Sequence, residues 1–232
     1  MNNQYQLADY KNPLFTVDSV LFTVSEGALK VLIVKRAIEP FIGQWGLPGG
    51  FVDVDVDLST DITALRKLKE KTGVAPPYLE QLQVFSGNER DPRGFSVTLA
   101  YFALIAEQDA APHIDTVDDV QWIDVDALAN MSIAFDHQHI IEKAQQRLQQ
   151  KALYSMLPVY CLPKYFTVAQ LMQVIEIIIG KAIQRKSLLR RIDASAMFEK
   201  VDEKVKSGGR FAQLYTLKPG VSIVNFDCNL SI

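Results

Sequence analysis

One stretch constrains this chain more than any other. "PFIGQWGLPGGFVD" (40–53) holds four glycines and two prolines and runs almost directly into "LSTDITALRKLKEKTG" (58–73). A segment so rich in Gly and Pro cannot form a helix interior or a central strand, so the chain loops there and returns to a short strand. The residues that follow read as a helix: Ser59 or Thr60 can cap it, Ile62, Leu65 and Leu68 line one face, and Gly73 ends it. The Gly49–Gly50 pair permits close approach of the backbone to an anion.

The flanking segments alternate in type. "SVLFTV" (19–24) and "LKVLIVKR" (29–36) read as strands joined by "SEG". "LEQLQVFSG" (79–87) and "FSVTLAYFALI" (95–105) are two more, separated by the polar loop "NERDPRG". "VQWIDVDAL" (120–128) gives a short strand and then a helix start. "FDHQHIIEKAQQRLQQKALYSM" (135–156) is a longer helix with Ile140, Ile141, Ala144 and Leu148 as its apolar stripe. This order implies an α/β (α+β) sandwich over residues 1–155.

The character changes after that. "TVAQLMQVIEIIIG" (167–180) is a strongly apolar helix with Thr167 as cap and Gly180 as stop, and "QRKSLLRRIDAS" (184–195) is a second helix. "MFEKVDEKVKSGGRFAQLYTLK" (197–218) reads as strand, Gly-rich turn, strand. Helix, turn, basic helix and hairpin is the order of a winged helix-turn-helix, assigned to residues 156–232. The charge agrees: residues 1–150 carry 12 basic and 21 acidic side chains, a net −9, whereas 151–232 carry 12 and 6, a net +6. A basic unit of this size suits a polyanion. Leu188, Leu189 and Ile192 can face a core, which leaves Arg185, Lys186, Arg190 and Arg191, with Ser187 between them, for the major groove of double-stranded DNA. Lys204, Lys206 and Arg210 cluster around two glycines as a wing tip for phosphates or the minor groove.

No apolar run approaches the roughly 20 residues that span a bilayer, and "MNNQYQLADYK" lacks the basic and apolar regions of a signal peptide. A cytoplasmic protein with no membrane partner is expected. Cys161 and Cys228 are then reduced thiols without metal-site spacing.

"GLPGGFVD…LRKLKEKTGV" resembles the Nudix box, a loop–helix–loop motif for pyrophosphate chemistry. In that family the helix reads Arg-Glu-aliphatic-x-Glu-Glu-x-Gly-aliphatic. Arg66, Leu68, Glu70, Gly73 and Val74 match it, while Lys67 and Lys71 stand where two glutamates belong. Upstream, 15 residues separate Gly50 from Arg66 where the pattern allows 13, so Asp53, Asp55 and Asp57 align ambiguously. Positions 67, 70 and 71 share one helix face. Mg2+ takes oxygen ligands, and ammonium groups repel it, so no metal site and no catalytic residue are assigned. Lys67, Glu70 and Lys71 are taken instead as a ligand-binding face, on which the lysines can hold a diphosphate directly. The alternative is a basic amphipathic helix in which Arg66–Glu70 is a surface pair.

Further candidate ligand residues are Arg36 at the end of the second strand for a phosphate or base edge, Gly49 and Gly50 for backbone approach, and Phe51 for stacking on adenine; the resemblance adds Asp91 and Arg93 from the "NERDPRG" loop, with Asp-Pro turn chemistry as their alternative. Asp136 and His137 in "AFDHQH" fall near the expected pocket, with an N-cap aspartate as the alternative. The C-terminal pattern "LPKYFTVAQLMQVIE…KSLLRRI…GGRFAQLYTL" resembles the NrtR family, Nudix-related transcriptional regulators of NAD metabolism. That resemblance implies a repressor that binds operator DNA as a homodimer and responds to ADP-ribose or a related nucleotide, with no cofactor. The competing expectations are an active Nudix hydrolase (an ADP-ribose pyrophosphatase) with an accessory C-terminal unit, and a protein-binding adaptor.

Overall fold

A computed structural model describes residues 11–108, 110–207 and 210–231. Its first unit is built on a seven-stranded sheet. β1 (Leu14–Ser25) and β2 (Ala28–Arg36) form a hairpin through Glu26 and Gly27, both at positive φ. The short strands β3 (Trp45–Gly46) and β4 (Gly49–Phe51) follow, then helix α1 (Thr60–Thr72), β5 (Tyr78–Gly87), β6 (Ser96–Leu104) and β7 (Val117–Asp124). The order is β3-β2-β1-β6-β5, with β4 on β1 and β7 on β2. β1 and β6 run parallel from Leu14↔Ser96 to Phe22↔Leu104, and the other pairs are antiparallel. This long pairing carries β1 five residues further upstream than its apolar run suggests.

β1 is buried from Val17 to Thr23. Strands covered on both faces read as near-continuous apolar runs, and β1 and β2 do. Leu21, Leu32 and Val34 point to the face covered by α1, where Leu68 joins them. Phe22, Val31 and Ile33 point to the opposite face, against Ile140, Ile141, Ala144 and Leu148 of α2 (His137–Tyr154). The result is an α/β/α sandwich.

The expected apolar face of α1 is corrected. Ile62 and Leu65 are exposed, at 40% and 38%, and the helix packs on Thr63, Ala64, Leu68 and Thr72. A helix lying close on a sheet needs small side chains, and here Thr and Ala meet that need. The helix start expected after β7 is a 3-10 turn at Val125–Asn130. Gly73 ends α1 in the left-handed conformation, with its N–H on the Lys69 carbonyl.

The second unit contains a 3-10 turn at Leu157–Cys161, β8 (Phe166–Thr167), α3 (Val168–Ile179), α4 (Arg185–Ser195), β9 (Phe198–Ser207) and β10 (Arg210–Leu217). β8 adds a third strand, unforeseen in the sequence, to give the order β8-β10-β9. Thr167 caps α3 in a capping box with Gln170, and Gly180 closes the helix. This is a winged helix-turn-helix. α3 serves two cores: Leu171 and Ile175 pack with Phe166, Leu188 and Ile192, whereas Val174 and Ile178 join Phe22 and Ile141 in the sandwich core.

The C-terminal residues return across the seam as a strap. The Phe226 and Leu230 N–H groups donate to the Tyr154 and Leu153 carbonyls, both at 2.7 Å, and Gln184 N–H donates to the Ser231 carbonyl at 3.0 Å. The end of α2 and the start of α4 are thereby tied to one segment.

Ile178→Ala should cost about 2–5 kcal/mol, the range for large-to-small core truncations. In urea melts followed by tryptophan fluorescence and by far-UV circular dichroism, both probes should shift together, since this side chain lies in the shared core. Separate shifts would show that the seam does not couple the units.

Candidate functional site

β1 and β2 pair only from Phe22↔Val31 to Ser25↔Ala28. Beyond that they diverge: Thr16 to Asp18 pair with β4, while Val34 and Lys35 pair with β3. A cavity of about 280 Å3 opens near this divergence. Thr16 and Asp18 line it from β1, Arg36 from the end of β2, Gly49, Gly50 and Phe51 from β4, and Lys67 and Lys71 from α1. The loop between β5 and β6 adds Arg90, Asp91 and Arg93, and the entry to α2 adds Phe135 and His137. Gly49 is required by close approach: a Cβ there would lie 2.2 Å from Asp18 Oδ1 and 2.3 Å from the Val17 carbonyl.

Nine of the ten expected ligand residues line this cavity: Arg36, Gly49, Gly50, Phe51, Lys67, Lys71, Asp91, Arg93 and His137. Glu70 is not among the lining residues. Its carboxylate accepts from Arg66 Nη1 at 3.0 Å and lies 3.5 Å from Lys67 Nζ. Arg66 also holds Asp57, with Nε at 2.7 Å from Oδ1, and this drives the Asp57 carboxyl well below its usual range. Asp53 and Asp55 remain exposed, with Asp53 Oδ1 accepting from the Asp55 N–H at 3.2 Å. Among the described residues no three His, Cys, Asp or Glu side chains converge as a metal site.

The cavity wall is a charged network. Asp18 is buried; its Oδ2 accepts from Thr98 Oγ1 at 2.8 Å and lies 3.8 Å from Arg90 Nη2. Arg90 bonds Asp136 through Nε at 3.1 Å and Nη2 at 2.9 Å, and Ser96 Oγ through Nη1 at 2.9 Å. Asp136 occupies the N-cap position of α2 but makes no side-chain cap bond, because Arg90 takes its carboxylate. His137 Nδ1 accepts the Leu47 N–H at 2.9 Å, which leaves Nε2 as the protonated nitrogen, 3.6 Å from Asp18 Oδ1. Burial lowers the His137 pKa, so the ring is neutral at pH 7. Burial would raise the Asp91 carboxyl, but the Arg93 hydrogen bonds at 2.7 and 3.0 Å outweigh it and hold the group low. The Arg93 guanidinium lies 5.1 Å from the Phe51 ring centre, and Arg36 lies 5.0 Å from that of Phe135.

Lys71 is the most perturbed cation of the cavity. Burial, reinforced by Arg36 and Lys67 against the attraction of Asp18, brings its pKa down to about 8. An anion between these side chains would relieve that repulsion.

Asp18, Arg90 and Phe135 were not foreseen. A carboxylate interrupting the apolar run around residues 14–24 was the available signal for Asp18. Arg90 and Phe135 sit beside foreseen residues, and only their contacts distinguish them.

The basic surface needs correction. Arg185, Lys186 and Arg190 of α4 are exposed, as are Lys204 and Lys206 of β9. Arg191 and Ser187 are buried. Arg191 Nη2 donates to the Cys228 carbonyl, with its guanidinium 4.8 Å from the Phe226 ring centre, and Ser187 Oγ accepts from Ser231 N–H at 3.4 Å. Both side chains face the strap rather than solvent, because α4 is covered on that side. Arg210 pairs with Ser207 through its backbone; its side chain lies outside the described part.

The family model for a NUDIX domain matches residues 15–144, and that for the NrtR DNA-binding winged helix domain matches residues 158–217. A protein named "ADPR responsive transcriptional repressor NtrR", from Acinetobacter baylyi, is 40% identical over 212 residues, 91% of this chain and 85% of its own length. This chain belongs to the NrtR family. The crystal structure of Shewanella oneidensis NrtR complexed with a 27mer DNA superposes with a TM-score of 0.85, at 46% identity, over 94% of this chain and 100% of that one. The NUDIX domain of the same NrtR, complexed with ADP ribose, superposes with a TM-score of 0.60 at 49% identity, over 62% of this chain and 94% of that one. This NrtR member and the Shewanella protein crystallised with DNA thus share one two-unit architecture.

Arg191→Ala should lower stability in urea melts by about 1–3 kcal/mol, since it removes a buried guanidinium together with its hydrogen bond to the Cys228 carbonyl and its contact with the Phe226 ring. Arg190→Ala should stay within about 0.5 kcal/mol, as exposed positions do. The reverse order would contradict the placement of Arg190 in solvent and of Arg191 under the strap.

Proposed function

We propose that this protein is a transcriptional repressor of NAD metabolism genes that binds operator DNA as a homodimer through α4 and the wing. It senses ADP-ribose in the cavity of its cytoplasmic Nudix unit. The observation that carries this reading is the pair Lys67 and Lys71, which line the cavity on α1 beside the Gly49–Gly50 backbone. Two ammonium groups at that place match a diphosphate in charge. A relative with 46% identity crystallised with DNA supports the other half of the reading. No helix among the described residues is long and apolar enough to cross a membrane.

The residues present do not fit Mg2+, the metal that a Nudix fold implies. Mg2+ needs near-octahedral oxygen ligation. Here Asp57 and Glu70 are engaged by Arg66, Asp91 is held by Arg93, and lysines face the remaining space. Among the described residues the cavity thus offers no set of oxygen ligands to activate a water through metal, and it binds without cleaving. The nucleotide's two ends have candidate contacts in Phe51 and Phe135, each with an arginine near its ring.

A physical link joins cavity and DNA surface. Phe135 and His137 stand at the start of α2, and the 18 residues of α2 form a rod of roughly 27 Å at 1.5 Å per residue. The far end of that rod is bonded to the strap, and the strap to α4 through Gln184, Ser187 and Arg191. A nucleotide that re-seats the start of α2 biases the placement of α4. Linkage then requires DNA and nucleotide to alter each other's affinity by one common factor.

The decisive measurement is operator affinity by fluorescence anisotropy with and without ADP-ribose. A change of about 5- to 150-fold is expected, the usual span of allosteric coupling; an unchanged affinity would refute sensing. AMP release from ADP-ribose at about one turnover per second or faster, an ordinary enzymatic rate, would instead establish a hydrolase.

The Lys67→Ala/Lys71→Ala double variant should bind ADP-ribose at least about tenfold more weakly by calorimetry, as two charge-assisted contacts are lost. Affinity should also depend on pH. Below about pH 8 Lys71 is charged with or without nucleotide, so binding is flat. Above it the free protein has lost the proton that the diphosphate complex retains, so affinity falls as pH rises. The double variant should lack this fall.

A further inference from the structure

The wing carries an aromatic side chain that the core of its own unit leaves in water. Phe211, near the start of β10, is 74% exposed. It is the cross-strand partner of Lys206, and Gln213 is that of Lys204. Cross-strand partners project from the same face of a sheet, and so do residues two apart on a strand. Lys204, Lys206, Phe211 and Gln213 therefore form one face of the hairpin, with both lysines exposed. Two ammonium groups beside an unshielded ring suit a partner that offers anionic and flat apolar surface within a few ångströms. Duplex DNA does so in its grooves, where phosphates flank stacked bases. α4, with exposed Arg185, Lys186 and Arg190, lies immediately before β9 in the chain, so exposed cations are carried by both the helix and the wing.

We infer that Phe211 is a wedge: the wing enters the minor groove, the ring inserts at a base step, and Lys204 and Lys206 hold the flanking phosphates. This rests on the DNA-binding reading above and adds a mode of recognition to it. Apolar side chains inserted between base steps unstack them and bend the duplex by roughly 20–90° toward the major groove. Pyrimidine–purine steps deform most readily. The wing would then select TA or CA/TG steps at a fixed distance from the bases read by α4, with no hydrogen bond to those bases.

The test uses the full chain and an operator fragment obtained by selection from genomic DNA. Affinity is read by anisotropy, bending by circular permutation, and unstacking by 2-aminopurine placed at the wing-proximal step. Phe211→Ala should weaken binding by roughly 5- to 150-fold, since stacking of one base on an aromatic is worth about 1–3 kcal/mol and about 1.4 kcal/mol is tenfold. It should abolish the bend and the 2-aminopurine signal and leave the salt dependence intact. Lys204→Ala/Lys206→Ala should do the converse and shallow the salt slope, which counts neutralised phosphates. Phe211→Leu, which keeps an apolar wedge, should retain most of the bend. If the unaltered chain binds the operator and Phe211→Ala binds and bends it equally, the wedge is refuted and the DNA-binding reading stands. Loss of self-association in Phe211→Ala by sedimentation, with DNA binding unchanged, would refute it too and assign the ring to a contact between copies. Failure of the unaltered chain to bind any selected duplex would overturn the DNA-binding reading and the wedge with it.

Discussion

Helix α3 is the element on which the rest depends. Its buried side chains alternate between two cores, Leu171 and Ile175 in one and Val174 and Ile178 in the other. A helix buried around most of its circumference has few polar positions, which explains why "VAQLMQVIEIII" is so apolar for a short surface unit. Because the same twelve residues complete the sandwich and found the winged unit, the latter is docked against a hydrophobic face rather than hung on a linker. The strap adds backbone hydrogen bonds across the same seam.

That arrangement gives the cavity leverage. The side chains at its rim come from segments anchored elsewhere: Arg90 joins the β5–β6 loop to the entry of α2, and His137 joins that entry to the loop before β4. An anion in the cavity would alter the balance among Arg36, Lys67, Lys71 and Arg90 and the buried carboxylates Asp18 and Asp91. Dense packing transmits such shifts poorly as gradual deformation and better as small rigid displacements of whole elements. α2 is the element that reaches from this network to the strap.

Much of this was legible in the residues, for reasons that differ from one position to the next. Gly73 and Gly180 announced helix ends because a left-handed residue is needed there, and both adopt it. Lys67 and Lys71 could be placed on one face from helical spacing alone. The apolar face of α1 differs from the one that spacing suggests, since Ile62 and Leu65 look like core residues but the helix packs on Thr63, Ala64, Leu68 and Thr72. Arg191 was misread for a related reason. A charged side chain in a basic helix reads as solvent-facing, and no local pattern reveals that residues 226–228, some 35 positions on, supply a ring and a carbonyl to receive it. Asp18 and Arg90 share that difficulty, as their partners Thr98 and Asp136 are distant in sequence.

By itself, then, the sequence determined the elements, the two units and the chemical character of each. Periodicity, glycine stops and capping residues are local properties, and net charge is additive along the chain. The tertiary structure alone decided which charges meet. It set Lys71 among other cations, buried Arg191 under the strap, joined Asp18 to Thr98 and left Phe211 bare on the wing. Those outcomes depend on contacts between residues far apart in the chain, where burial and the geometry of approach rather than residue type set the energy of a charge.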